Sequence, residues 1–106
     1  MRALFDVTVT EHPYRAVVAV SGELDVGTCP FVTEATDALS LRGQTLILEL
    51  SGATFMDSTG LAMLLQLRER ARHEDGRLEV CGIDEPVKRV LERTGAFPLF
   101  TTVPSL

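Results

Sequence analysis

No run of Lys or Arg occurs in these 106 residues, and the net charge is -5 with a pI near 4.9. A chain without a basic patch cannot release counterions from a phosphate backbone, so no nucleic-acid partner is expected. No stretch approaches the roughly 18 apolar residues that a spanning helix needs. The first residues, Met1 to Asp6, reach an acid without an apolar leader region. No membrane partner and a cytoplasmic location are therefore expected. There are two cysteines, Cys29 and Cys81, far apart and without a CxxC spacing. Two reduced, packed thiols are the expectation, with a disulfide or metal site as the alternatives. The two histidines, His12 and His73, lie among loop-like residues. They read as surface side chains rather than as ligands or a base. Neither G-x-x-x-x-G-K-[ST] nor G-x-S-x-G occurs, which removes the phosphate loop and the nucleophile elbow. No enzyme, cofactor or metal is expected.

What is present is the material of one domain, residues 1–106, with 45% hydrophobic residues to build a core. Alternation in residues 4–10 sets Phe5, Val7 and Val9 against Asp6, Thr8 and Thr10, a half-buried strand. Pro13 marks a turn, and residues 14–21, rich in Val and Ala, form a second strand antiparallel to the first. Residues 22–27 read as a loop. Thr28 and Pro30 suit the start of a helix that reaches about Leu41, with Phe31, Ala35, Ala38 and Leu39 as its apolar face. Residues 45–50 form a third strand, with Leu46, Leu48 and Leu50 on one side and Thr45, Ile47 and Glu49 on the other. A second helix starts near Ser58 and carries the stripe Leu61, Leu64, Leu65, Arg68. Residues 77–81 form a fourth strand. Asp84, Pro86, Val87, Val90, Leu91, Thr94 and Gly95 outline a third helix, and residues 99–103 a last strand.

The order β-β-α-β-α-β-α-β calls for right-handed parallel crossovers. If consecutive strands are neighbours, every helix falls on one face. A doubly wound sheet would bury its central strand on both faces, where Glu49 is awkward. The expected fold is thus α/β: a mixed, mostly parallel sheet with helices layered on one face. A flavodoxin-like doubly wound sheet is the second choice.

Two segments gather at the carboxyl edge of such a sheet, residues 22–28 and 51–60, where open α/β folds place their sites. Asp25 and Ser58 become neighbours there. On pattern alone Asp57 or Ser58 is an N-cap and Gly60 a close-packing residue. A nucleophilic serine would need a base, and neither histidine falls on these segments.

Three segments together resemble the STAS domain family, the anti-sigma-factor antagonists. They are Ser21-Gly22-Glu23-Leu24-Asp25 with Thr28, then Phe55-Met56-Asp57-Ser58-Thr59-Gly60-Leu61, then Val80-Cys81-Gly82-Ile83 followed by Pro86-Val87-Lys88-Arg89-Val90-Leu91 and Thr94-Gly95. The resemblance spans nearly the whole chain. It implies a βαβ superhelix that binds an anti-sigma factor, itself a serine kinase, while unphosphorylated, and so releases a sigma factor. It implies phosphorylation at Ser58 as the off switch and a serine phosphatase as the reset. Asp25, Thr28, Asp57, Ser58, Thr59 and Gly60 become the expected partner-binding residues. Each keeps a plain structural alternative: Asp25 as a turn residue, Asp57 as a cap, Gly60 as packing. Thr59 is the alternative acceptor. A phosphate at this helix start is expected to be tolerated by the dipole and free amides. A second function remains open, a non-catalytic STAS subunit of a lipid-transport or stressosome-type complex. A nucleotide-hydrolysing enzyme is a third, disfavoured by the missing phosphate loop.

Overall fold

Val and Ala crowd the second strand because it is covered on one face and shielded on the other. In the computed structural model, which describes residues 4–104, this strand is β2 (Arg15–Leu24), flanked by β1 (Asp6–His12) and β3 (Thr45–Met56). The chain continues through α2 (Ser58–His73), β4 (Arg77–Cys81), α3 (Glu85–Arg93), a 3₁₀ turn (Phe97–Leu99) and β5 (Thr101–Val103). The first helix, α1 (Cys29–Asp37), joins β2 to β3. The sheet order is β1-β2-β3-β4-β5, the order of the sequence. The β1–β2 pair is antiparallel and all later pairs are parallel.

The core lies on one side of the sheet. Val18, Val20, Leu46, Leu48, Leu50 and Val80 meet Val32, Leu64 and Leu67, then Val87 and Leu91, from the three helices. Fully burying each such Leu contributes about 1.5–3 kcal/mol. The other side carries a small cluster built from strands alone: Val17, Ile47 and Cys81, with Val103 against them. Glu49 projects on that side, where its carboxylate accepts from the Ser51 N–H at 3.1 Å and from the Ser51 hydroxyl at 2.9 Å. The single helix layer is the observed one.

Three local features differ from the sequence expectation. The first is strand length: β2 runs on to Leu24 and β3 to Met56, so most of what read as two loops is paired parallel strand. Register shifts between Ala19 and Ser21 and between Gly22 and Glu23 allow it. Gly22 takes φ +102°, and a Cβ there would lie 2.9 Å from the Leu4 carbonyl oxygen, so only glycine serves. The second is α1, which ends at Asp37 and buries Cys29, Val32 and Thr36, with Leu39 just beyond. Its inward stripe is rotated by about one residue from Phe31, Ala35 and Ala38, and Phe31 is 59% exposed. Thr36 can occupy a core position because its hydroxyl donates to the Thr33 carbonyl at 3.1 Å. Third, α2 buries Gly60, Met63, Leu64, Leu67 and Ala71, leaving Leu61 and Leu65 on the flank.

Arg70 ties α2 to the end of α1. Its guanidinium donates to the Thr36 and Leu39 carbonyls at 2.7 and 2.6 Å, and its Nε donates to the Glu74 carboxylate at 2.7 Å. Glu74 in turn accepts from the Leu41 N–H at 3.2 Å. Both cysteines are free and buried, in clusters on opposite sides of the sheet.

Candidate functional site

The extended ends of β2 and β3 run side by side, with Glu23 opposite Phe55 and Leu24 opposite Met56. One hydrogen bond closes the pair: the Asp57 N–H donates to the Leu24 carbonyl at 3.3 Å. The residue after Leu24 is Asp25, and the residue after Asp57 is Ser58. Two segments distant in sequence are thereby fixed at one edge.

Ser58 is the first residue of α2 and is exposed. The cap is Asp57. Its Oδ1 accepts from the Thr59 N–H at 2.9 Å and the Gly60 N–H at 3.3 Å, in extended backbone. Two amides at this helix start, those of Thr59 and Gly60, are therefore occupied by Asp57, so the expectation of free donors narrows to the Ser58 N–H. The Ser58 hydroxyl is left as a presented group rather than a structural one. Gly60 is buried, and a Cβ there would lie 2.5 Å from Met56 Cγ and 3.2 Å from the Leu24 carbonyl. Its lack of a side chain seats α2 on the ends of β2 and β3.

Thr28 begins α1, yet its side chain makes no cap. The hydroxyl turns back, accepting from the Asp25 N–H at 3.0 Å and donating to the Glu23 carbonyl. Asp25 Oδ1 accepts from the Gly27 N–H at 2.9 Å and the Thr28 N–H at 3.1 Å. Asp25 and Thr28 thus clasp residues 25–28 into a fixed turn, an Asx-type arrangement. The structural role read for Asp25 is present; it leaves Oδ2 outside the clasp.

Beneath both acids lies Cys29. Burial pushes its thiol up first, and the negative charges of Asp57 and then Asp25 push it further. Both carboxylates therefore act on one buried sulfur. Beside them α1 and α2 bound a groove of about 500 Å³, lined by Cys29, Pro30 and Thr33 on one wall and Thr59, Ala62 and Gln66 on the other. No group of three or more potential metal ligands occurs among the described residues. No helix among them is long and apolar enough to cross a membrane.

The acids of this edge, Asp25 and Asp57, belong to an acidic part of the sequence. Residues 16–67 hold six of the 15 acids and, with Arg42, one of the ten basic residues, which alone accounts for the net charge of -5. Pattern reading alone missed the Leu24 carbonyl and Cys29, since neither a backbone acceptor nor a buried thiol has a motif of its own.

Residues 6–106 match the family model described as the STAS domain. The chain is 32% identical over 95 residues to an anti-sigma F factor antagonist of Paenibacillus polymyxa, covering 88% of this chain and 81% of that protein. It is 32% identical over 79 residues to an anti-sigma-B factor antagonist of Listeria monocytogenes, covering 74% of this chain and 69% of that protein. Among solved structures, an anti-sigma factor antagonist from Mycobacterium paratuberculosis superimposes with a TM-score of 0.84 at 29% identity, covering 97% of this chain and 88% of that one.

Proposed function

This chain belongs to the STAS domain family, and on that premise we propose that it is an anti-sigma-factor antagonist switched by phosphorylation of Ser58. Unphosphorylated, it binds an anti-sigma factor that is also a serine kinase, and a sigma factor is released. A serine phosphatase resets it. The chain supplies the acceptor hydroxyl and no catalytic group of its own. In the transfer, Ser58 Oγ forms a bond to the γ-phosphorus of ATP held by the kinase. The bond to the β-γ bridging oxygen breaks, ADP leaves, and the hydroxyl proton passes to a base on the kinase. The setting for all of this is the cytoplasm.

One observation carries the reading: the helix start is already capped by Asp57, and Ser58 remains exposed beside it. A serine with no structural duty, at a rigid helix start, suits presentation to another enzyme. Asp25 and Thr28 hold the second wall, and Thr59 and Gly60 complete the face that the partner covers. A phosphate there adds about -1.5 to -2 charges. It meets Asp57 and the Asp25 turn, and the Thr59 and Gly60 amides are taken by Asp57. The physical effect is repulsion and bulk at the interface rather than unfolding.

The test is phosphate mapping by mass spectrometry after incubation with ATP and anti-sigma-type serine kinases. Phosphate on Ser58, lost in Ser58→Ala, is expected. Ser58→Ala and Ser58→Asp should give the same circular dichroism spectrum, with kinase binding lost only in Ser58→Asp. Phosphate found on Thr59 instead, or unfolding by Ser58→Asp, would sink this reading.

A further inference from the structure

Among the described residues the sheet has five strands, and three helices cover it. Coverage runs out at β1, the edge strand. On its helix side lie Val7 and Val9, with Phe5 just before the strand: Phe5 and Val7 are half-buried, while Val9 is 41% exposed. The outer flank of α1 faces the same strip. Phe31 stands there with its ring centroid 6.1 Å from that of Phe5, tilted by 37°. Between them lies a cleft of about 520 Å³ floored by Phe5, Val7, Phe31, Ala35 and Ala38. The two alanines leave the floor unfilled. Phe31 has no place in the core, because Val32, Thr36 and Leu39 already occupy the inward stripe of this segment. Keeping this apolar surface in water is unfavourable by about 25 cal/mol per Å². An exposed aromatic in a concave apolar setting is the usual anchor of a protein contact.

We infer that this cleft docks an amphipathic helix of a second protein, one whose apolar face is flanked by Lys or Arg. Asp6 and Glu34 stand along the cleft, and among the described residues no basic side chain lines it. The shape suits a helix because the walls are a helix flank and a strand face. The cleft follows α1, whose nine residues span about 13 Å. A docked helix would extend the helix layer over β1, and its basic flanks would meet Glu34 and Asp6. A second copy of this chain is a poor occupant: α2 and α3 bury their apolar faces in their own core, and the cleft beside the exposed flank of α1 carries Asp6 and Glu34, which would face their own copies. The inference stands whatever the chemistry at Ser58, since Phe31, Ala35 and Ala38 line this cleft and not the groove shared with α2, although Glu34 borders both.

The probe is a fluorescein-labelled 14-residue Leu/Arg amphipathic peptide, titrated into the intact chain and followed by anisotropy. Saturable binding that weakens with salt is expected. Phe31→Ser and Glu34→Arg should each raise Kd at least about tenfold. Phe55→Ser, which removes an exposed aromatic outside the cleft, should change nothing. Ala38→Gln fills the floor without touching the core and should abolish binding even if Phe31→Ser perturbs folding. The inference is overturned if Phe31→Ser and Ala38→Gln bind like the parent. It is equally overturned if a Leu/Glu peptide of the same length binds as well. Sedimentation showing that the chain alone dimerises through Phe31 would assign the cleft to a second copy instead.

Discussion

Asp57 separates two jobs that sequence pattern alone leaves merged. Asp57 or Ser58 could each have capped α2; the structure gives the cap to Asp57, with both helix amides on one oxygen. Asp57→Ala should lower stability by about 0.5–2 kcal/mol, whereas Asp57→Asn, which keeps an acceptor oxygen, should lose much less. Urea midpoints of the two variants check this. The same residue scale shows where reading the chain stopped. Ser58, Asp25 and Gly60 could be found because small polar residues and glycine before an apolar stripe have a mechanism. The turned-back hydroxyl of Thr28 could not, since capping and clasping call for the same residue type. Phe31 was misplaced because an aromatic at helical spacing looks like core. Only the packing of Val32 and Thr36 decides which side of α1 turns inward.

At the scale of elements, α2 is held at both ends by different chemistry. Its start is a carboxylate cap; its end is Arg70, which satisfies the last carbonyls of α1 while pairing with Glu74. Arg70→Ala removes charge-assisted hydrogen bonds and should cost about 2 kcal/mol, measured by thermal or urea unfolding. Glu74 adds a pH signature. Its hydrogen bond with Arg70, then the Leu41 N–H, hold its carboxyl below the usual carboxylate range. A depressed folded-state value means the contribution is complete above the unfolded value and fades as pH falls through the folded one. Glu74→Gln should therefore unfold more easily than the parent at pH 7, with the gap closing in acid. An equal gap at both pH values would refute it. The elements themselves were largely readable, because Leu46, Leu48 and Leu50 alternate cleanly and Gly95 closes α3. The ends of β2 and β3 were not: Ser51-Gly52 and Ser21-Gly22 carry turn composition, and pairing across a bulge overrides it.

For the whole molecule, Asp25 and Asp57 bring two carboxylates to the edge where Ser58 is exposed. Phosphorylation would carry the net charge from -5 to about -6.5 to -7. Exposed charges are screened over about 10 Å at 0.1 M salt. The affinity ratio between the parent and Ser58→Asp for the kinase should accordingly shrink as salt is raised, and a ratio indifferent to salt would mean that bulk alone does the excluding. The global arrangement followed from one argument about Glu49 and crossover handedness, which needs no side-chain detail; the uncovered strip along β1 did not, since it depends on how far three helices reach. The sheet order has a further consequence, for synthesis. Because each strand pairs with the next one made, everything that meets at Ser58, from Glu23 to Gln66, leaves the ribosome before β4, α3 and β5. The last third of the chain arrives after the residues of the Ser58 edge have been synthesised, and it completes the sheet and the core.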